Sequence, residues 1–216
     1  MSFVKKALLA SALLLATNTV ASAAVVSFST AFGPLRTDFT TGSLTLQSFD
    51  SSFGTLTGVQ LSLMGSGNFA GTVTNRGSSA ETFTLNESTT LSISSATAGL
   101  SGLSTSFASG QTFTNLAAGA SANFGPFSPA NTVTANPTNL AAFQSGPLSF
   151  TAGTVTGTST TGGGGNVTTS FDTFASGVVA VAYTYNAPST AVPEPASMAL
   201  LGAGMVGLGL IRRRKV

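Results

Sequence analysis

The sequence of 216 residues contains no cysteine, no histidine and no tryptophan. Without cysteine there is no disulfide, no thiolate nucleophile and no cysteine-ligated metal. Without histidine, the commonest general base and the commonest metal ligand are both missing. These absences remove most routes to catalysis, and we predict neither a cofactor nor a metal.

Charge is also scarce, because only 6% of the residues are charged, against about 25% in ordinary globular domains. Most cations lie at the two ends of the chain. Residues 24–190 carry two bases against five acids, a net charge of −3: Arg36 and Arg76 against Asp38, Asp50, Glu81, Glu87 and Asp172. Because no basic patch is available to neutralise phosphates, nucleic-acid binding is not expected.

The first 23 residues have the three parts of a secretory signal peptide. Lys5 and Lys6 precede an apolar run at 7–16, and Ala21-Ser22-Ala23 provides a small-residue cleavage site before Ala24. The alternative, a first transmembrane helix, requires more than ten apolar residues to cross a core of about 30 Å. We therefore predict Sec export and cleavage by signal peptidase after Ala23.

The last 25 residues combine a proline motif, an apolar segment and a cationic end. Residues 196–211 would span roughly 24 Å as a helix, which is short for a membrane crossing, and they include four glycines. The cations that follow predict a cytoplasmic C-terminus, and they are Arg212, Arg213, Arg214 and Lys215. Hydropathy alone would describe this segment as a permanent anchor.

The complete tail resembles the PEP-CTERM sorting signal, in which the motif comes first, then a glycine-rich helix, then an arginine cluster. The motif here is Val192-Pro193-Glu194-Pro195. The resemblance implies processing by an exosortase-like membrane enzyme, a transient membrane tether, and a final location in the envelope or outside the cell. Two prolines disfavour helix at the motif, which would leave it extended and accessible.

Between the two signals, the sequence alternates with a period of two. Val59, Leu61 and Leu63 would share one face of a strand while Gln60 and Ser62 share the other. Several such segments predict an all-β fold, an antiparallel β-sandwich of jelly-roll-like form over residues 24–188, flanked by the signal peptide (1–23) and the sorting signal (189–216). We expect the segment 177–186 to be a central strand and phenylalanine to dominate the core.

Glycine, proline, asparagine and serine clusters predict turns at "MGSGN" (64–68), "NRGSS" (75–79), "FGPFSP" (124–129) and "TGGGGN" (161–166), the last as a flexible hairpin tip. A short helical turn is expected at 139–144. Because Tyr183 and Tyr185 would share a strand face, they present either an exposed sugar platform or, as we favour, inner-face packing.

Residues 46–75 resemble the start of the choice-of-anchor E family of exported domains. The resemblance lies in the Phe49-Asp50 pair, in the Phe-Gly-Thr-Leu that follows, and in a later strand that ends at Asn75. The family has no established activity to carry over, so Asp50 is interpreted as an Asx-turn residue.

The acids show no catalytic pattern. We expect Arg36 and Asp38 to pair on one strand face, and Glu81 and Glu87 to be solvated ends of a short strand. A glycosidase pair would need two carboxyl groups about 5–9 Å apart, and weak calcium binding by carbonyls and one aspartate remains an alternative.

We therefore predict an exported, non-enzymatic structural or adhesive protein of the bacterial envelope or exopolysaccharide matrix. The alternatives are a polysaccharide-binding module and a polysaccharide-acting enzyme. An exposed face with both tyrosines would favour the module, and clustered carboxylates in a groove would favour the enzyme. A closed surface of hydroxyl groups would favour the structural role, with exopolysaccharide as a further partner.

Overall fold

The computed structural model describes residues 23–41, 44–188 and 202–204. The described residues from 23 to 187 belong to one compact unit. Within the described ranges this unit contains three single 3₁₀ turns, at Ser51–Phe53, Leu140–Phe143 and Gly163–Gly165. Its strands are β1 Ala23–Arg36, β2 Leu44–Leu46, β3 Thr55–Asn75, β4 Glu81–Ser95, β5 Leu100–Leu116, β6 Ser121–Phe127, β7 Ala130–Ala135, β8 Leu148–Gly162 and β9 Val167–Asn186.

The strands form two antiparallel sheets. Sheet A has the order β1-β9-β3, with β6 and β7 both paired along the far side of β3, and sheet B has the order β2-β8-β4-β5. The prediction of an all-β, antiparallel, two-sheet structure is confirmed, and the jelly-roll-like description remains a prediction. As expected, β9 is central, because β1 and β3 pair along its two sides.

Alternation along the strands places the apolar side chains between the sheets. On β3, Val59, Leu61 and Leu63 are buried while Gln60 is exposed. Aromatic rings fill the centre, as the composition predicted. Eight phenylalanines are buried: Phe49, Phe69, Phe83, Phe107, Phe113, Phe124, Phe143 and Phe150.

The predicted turn at 64–68 is wrong, since β3 runs without a break from Thr55 to Asn75. Gly65 and Gly67 face the interior of the sandwich. A Cβ atom on Gly65 would lie 2.7 Å from a ring carbon of Phe107, and one on Gly67 would lie 2.8 Å from the same ring. Glycine therefore does not break the strand here. It lets an aromatic ring approach the backbone closely, which is a common role of glycine in a strand.

The predicted hairpin tip at 161–166 is also wrong. β8 belongs to sheet B and β9 to sheet A, so the connection between them crosses from one sheet to the other. Gly162 to Gly165 all have positive φ, from 56° to 91°, and Gly163 is buried. The four glycines supply the left-handed conformations of a tight corner. The turns at 75–79 and 139–144 lie where predicted.

Side chains close the sandwich along one side. Gln111 on β5 bonds to β6 through both ends of its amide, donating to the carbonyl of Asn123 (3.2 Å) and accepting from the amide of Gly125 (3.0 Å). Asn131 on β7 donates to the carbonyl of Ser106 on β5 (2.9 Å). These bonds join the edges of the two sheets where no backbone ladder does.

Candidate functional site

The predicted signal-cleavage site lies at the start of β1. Ala23 and Ala24 are the first two residues of the strand and are registered with Asn186 and Tyr185 of β9, while Ala21 lies outside the described residues. Because β9 is the last strand within the described residues, its pairing with β1 requires the domain up to Asn186 to have been translocated. Cleavage after Ala23 is therefore predicted to precede closure of sheet A.

The predicted sorting motif at 192–195 and the cations at 212–215 lie outside the described residues. Of the predicted transmembrane helix at 196–211, the structure describes residues 202–204, which are helical. Within the described ranges, no helix has the length and apolar character needed to span a bilayer.

The expected Arg36–Asp38 pair is wrong. The guanidinium of Arg36 lies 3.4 Å from the carboxylate of Asp172 on the neighbouring strand, and both side chains are exposed. Asp38 follows the end of β1 and has a φ of 63°, so strand alternation no longer sets its direction. Its Oδ1 accepts from the amide of Thr156 (2.8 Å) and caps part of the β8 edge.

Asp50 adopts the predicted Asx turn. Its Oδ1 accepts from the backbone amide of Ser52 (2.8 Å) at the start of a 3₁₀ turn. Hydrogen bonding from Ser52 lowers the pKa of this carboxyl below its ordinary value. The Asp50 carboxylate therefore has a structural role, because the hydrogen bond it accepts comes from Ser52 in the same turn.

Glu87 is not the solvated strand end that the sequence suggested. "TFTLNE" and "TTLSIS" belong to one strand, β4, and Glu87 lies in its middle on the inner face, 1% exposed. The hydroxyl of Thr173, on β9 of the opposite sheet, donates to its Oε1. Its Oε2 is buried without a hydrogen-bond partner.

The burial of Glu87 changes its electrostatics. Desolvation raises the pKa of the carboxyl, because the charged form is disfavoured away from water, and the Thr173 hydrogen bond opposes that shift only in part. A layer of threonines surrounds the acid on the same inner face of sheet B. Thr89 and Thr156 share a hydrogen bond (2.8 Å), and the hydroxyl of Thr105 is buried without a partner.

This polar layer does not provide a two-carboxylate or multidentate site. Asp38, Asp50 and Asp172 are exposed, and Glu81 is half-buried at the start of β4, which leaves Glu87 as the buried acid of the described residues. In that part of the chain no three of His, Cys, Asp and Glu lie together so that they could hold a metal ion. Sequence reasoning missed the layer, since threonine is frequent on both faces of these strands.

The two tyrosines pack inward, as favoured from the sequence. Tyr183 is 0% exposed, and its hydroxyl donates to the carbonyl of Gln47 (2.8 Å). Its ring centroid is 5.7 Å from that of Phe49, and the half-buried Tyr185 ring lies 5.4 Å from the same phenylalanine. Burial raises the pKa of Tyr183 to about 12. An exposed sugar platform built from both rings is therefore absent.

The outer face of sheet B forms a neutral surface that we call the hydroxyl face. Cross-strand hydroxyl pairs connect β4 to β5, with Thr84 to Thr112 and Thr90 to Ser106 both at 2.9 Å. A shallow depression of about 300 Å³ lies around Asn86 and Ser88. Glu87 also lines it, although its side chain is 1% exposed and bonds to Thr173 between the sheets. The face consists of Thr84, Asn86, Ser88, Thr90, Ser92 and Ser94 of β4, Ser104, Ser106, Ala108, Gly110 and Thr112 of β5, and Thr151, Gly153, Val155, Gly157, Ser159 and Thr161 of β8.

A second depression lies on the outer face of sheet A, and we call it the sheet A groove. It has a volume of about 620 Å³ and is lined by strands β1, β3 and β9 together with the loop at 136–140. Gln60 and Thr184 provide polar groups, while Val25 and Leu140 provide apolar ones. The lining carries no charge, so the chemistry it offers is neutral hydrogen bonding beside apolar contact. No sequence motif marks this groove.

Comparison with known proteins identifies the tail. A family model described as the PEP-CTERM protein-sorting motif matches residues 191–215. That match covers the tail only, and the resemblance of residues 46–75 to choice-of-anchor E remains a prediction. No curated protein matches the chain.

Solved structures give a distant similarity to proteins of infectious bursal disease virus. The structure of infectious bursal disease virus Gx strain is 11% identical, with a TM-score of 0.25 over 78% of this chain and 37% of that chain. The infectious bursal disease virus VP2 subviral particle is 12% identical, with a TM-score of 0.29 over 77% and 37%. The chain thus spans less than half the length of these proteins.

Proposed function

We propose that this chain is an exported, non-enzymatic structural or adhesive component of the bacterial envelope or exopolysaccharide matrix. The PEP-CTERM motif supports export and sorting through exosortase at the membrane, toward the cell envelope. In this proposal the tail is a temporary tether that is removed near Val192–Pro195, and the domain remains as the working part.

The hydroxyl face is the observation that carries the structural and adhesive role. Three adjacent strands present Ser, Thr and Asn side chains without a charged group between them. Such a surface can exchange hydrogen bonds with a neutral, hydroxyl-rich polymer along its whole length. It offers no pre-formed cleft in which a single bond would be held for cleavage.

The positions of the acids favour the non-enzymatic alternative. A polysaccharide-cleaving enzyme needs two carboxyl groups facing one bond, whereas the buried Glu87 is engaged with Thr173 between the sheets. Asp172 pairs with Arg36 on the surface. The sheet A groove supports a second candidate, a small sugar-binding module, because its uncharged lining combines Gln60 and Thr184 with apolar walls.

Co-sedimentation of the purified protein with exopolysaccharide from its native host tests the proposal. We expect binding that falls severalfold when Thr84 and Thr90 are both replaced by valine, which keeps side-chain shape and removes two hydroxyls. The matched control is Thr72→Val on the outer face of sheet A, which should bind like wild type. Retained binding by the double variant together with loss on Gln60→Ala would favour the groove, and release of reducing ends from the polymer would establish an enzyme instead.

A further inference from the structure

Over residues 24–32, the long edge of sheet A lacks the features that normally protect a strand edge, which β1 carries only at its end, in Pro34, Arg36 and the register shift after Phe32. β1 pairs with β9 on one side, and within the described residues no other strand bonds to its second side. Edge strands are usually protected by charge, proline, bulges or a covering segment. From Ala24 to Phe32 the strand has no charge, no proline and no register shift, and its first irregularity follows Phe32.

The two sides of the sandwich differ in whether side chains connect the edges of the two sheets. On the side of β5, Gln111 and Asn131 join the sheets through side-chain hydrogen bonds. On the side of β1, a seam of about 500 Å³ remains open between the sheets. Val26, Phe28 and Phe53 contribute apolar walls, and Gln47, Ser48 and Asp50 contribute polar groups. An unpaired backbone edge and an open, partly apolar seam therefore lie next to each other.

The sequence of the edge is close to a chemical palindrome about Phe28. In an antiparallel pair of two identical strands centred on this residue, each position meets a partner of similar chemistry. Ser27 meets Ser29, three of the other pairs are apolar on both sides, and the β-branched Val26 meets the β-branched Thr30; aromatic, β-branched and hydroxyl pairs of this kind stabilise cross-strand neighbours. The pairs would be Phe28 with Phe28, Ser27 with Ser29, Val26 with Thr30, Val25 with Ala31, and Ala24 with Phe32.

We propose that β1 is a homotypic docking edge, which pairs antiparallel with β1 of a second copy of this chain about a two-fold axis at Phe28. Cleavage at the predicted signal site would leave this strand at the new N-terminus of the chain, so that no preceding segment has to be displaced. Alternate residues of β1 direct their backbone N–H and C=O groups away from β9, and each would find its partner on the second copy. Sheet A would become continuous across the two molecules, and the seams of both would meet at the Phe28 pair.

A disulfide test uses the absence of native cysteine. In the full-length chain exported by its native host, Val25→Cys and Ala31→Cys are introduced together, both on the exposed outer face of β1. In the proposed register, residue 25 of one copy faces residue 31 of the other at a distance that a disulfide can bridge. Within one chain these positions are six residues apart, roughly 20 Å along the strand, so no intramolecular bond can form.

We expect a covalent dimer on a non-reducing gel for the double variant and for a co-expressed mixture of the two single variants. Each single variant alone should remain monomeric, because residue 25 never faces residue 25. Absence of the dimer in the double variant, or equal dimer in the single variants, would overturn the proposal.

Charge placed at the edge provides an independent measurement. Adding Ser27→Lys and Ser29→Lys to the double-cysteine chain puts lysines opposite each other and should reduce the dimer fraction about tenfold. The matched control, Thr132→Lys and Thr134→Lys at exposed positions of β7 on the outer face of sheet A, should leave that fraction unchanged. Equal loss in both variants would mean that general surface charge, and not the β1 edge, controls association.

Discussion

The hydrogen bond between Thr173 and Glu87 is the contact through which the stability of the domain should depend on pH. It connects β9 of sheet A to β4 of sheet B in the interior, and Glu87 is 1% exposed. Because burial raises the pKa of Glu87 above its ordinary value of 4.5, the unfolded chain loses this proton at a lower pH than the folded one. Stability contributed by the protonated acid is therefore fully present below about pH 4.5 and is lost as the pH rises through the folded pKa.

Thr173→Val keeps the shape of the side chain and removes the donor. A hydrogen bond to a charged group contributes about 1.5–3 kcal/mol, and one between neutral groups about 0.5–1.5 kcal/mol. The variant should therefore lose more stability above the raised pKa of Glu87, where the carboxylate would be left with neither oxygen paired, than at about pH 4, below the ordinary value of 4.5. Each kcal/mol corresponds to a shift in melting temperature of roughly 2–4 °C for a domain of this size.

Urea unfolding of residues 24–187, followed by circular dichroism across this pH range, measures the effect. Glu87→Gln removes the titrating group, so its stability should not decline with pH in the way that wild type does. Thr169→Val, an exposed position on the same strand, serves as the matched control and should follow wild type. Parallel pH profiles for wild type and Glu87→Gln would refute the assignment of a buried, destabilised carboxyl.

Three further predictions concern packing, a turn and the tail. Gly65→Ala should lower the free energy of unfolding by about 1–3 kcal/mol through overpacking against Phe107. Gly58→Ala should lower it by less, because the added Cβ would meet its nearest neighbour at 3.6 Å. Chemical denaturation of the two variants compares these losses. Asn75→Ala should cost about 2–4 kcal/mol in the same assay, because its buried amide donates to the carbonyls of Ser79 and Leu116 and accepts from the amide of Gly77. Replacing residues 193–195 with alanine should leave inserted but uncut protein, and neutralising residues 212–215 should leave misplaced precursor; intact mass and cell fractionation of the native host distinguish these from a plain anchor.

The strands and the composition of the core could be predicted because their signal is local. Alternation at Val59, Leu61 and Leu63 needs only neighbouring residues, and the supply of phenylalanine needs only composition. The central position of β9 was also visible, since both faces of its segment are apolar or small. These features depend on the two-residue alternation of apolar side chains and on residue type, and both can be read from a single sequence.

The position of Glu87 could not be predicted, because it depends on the continuity of a strand. If β4 is divided after "TFTLNE", Glu87 becomes a solvated end, and if it continues to Ser95, the same residue falls on the inner face. Gly65 presented a similar ambiguity, since a glycine that breaks a strand and one that admits an aromatic ring have the same local sequence. The partner of Arg36 depends on the β1–β9 register, which is a long-range property.

The register of β1 and β9 also pairs the first residue of the first strand with the last residue of the last strand within the described residues of the domain. Ala23 is paired with Asn186, and the sorting motif begins six residues after Asn186, at Val192. Cleavage after Ala23 and removal of the tail near the motif would therefore trim neighbouring chain ends and remove almost no ladder hydrogen bonds. Between these cuts all the sheet pairings of β2 to β8 are preserved, so maturation at both termini is compatible with an unchanged core. The same arrangement makes β1 the terminal edge strand of the processed chain, which is the geometry that homotypic pairing at Phe28 requires.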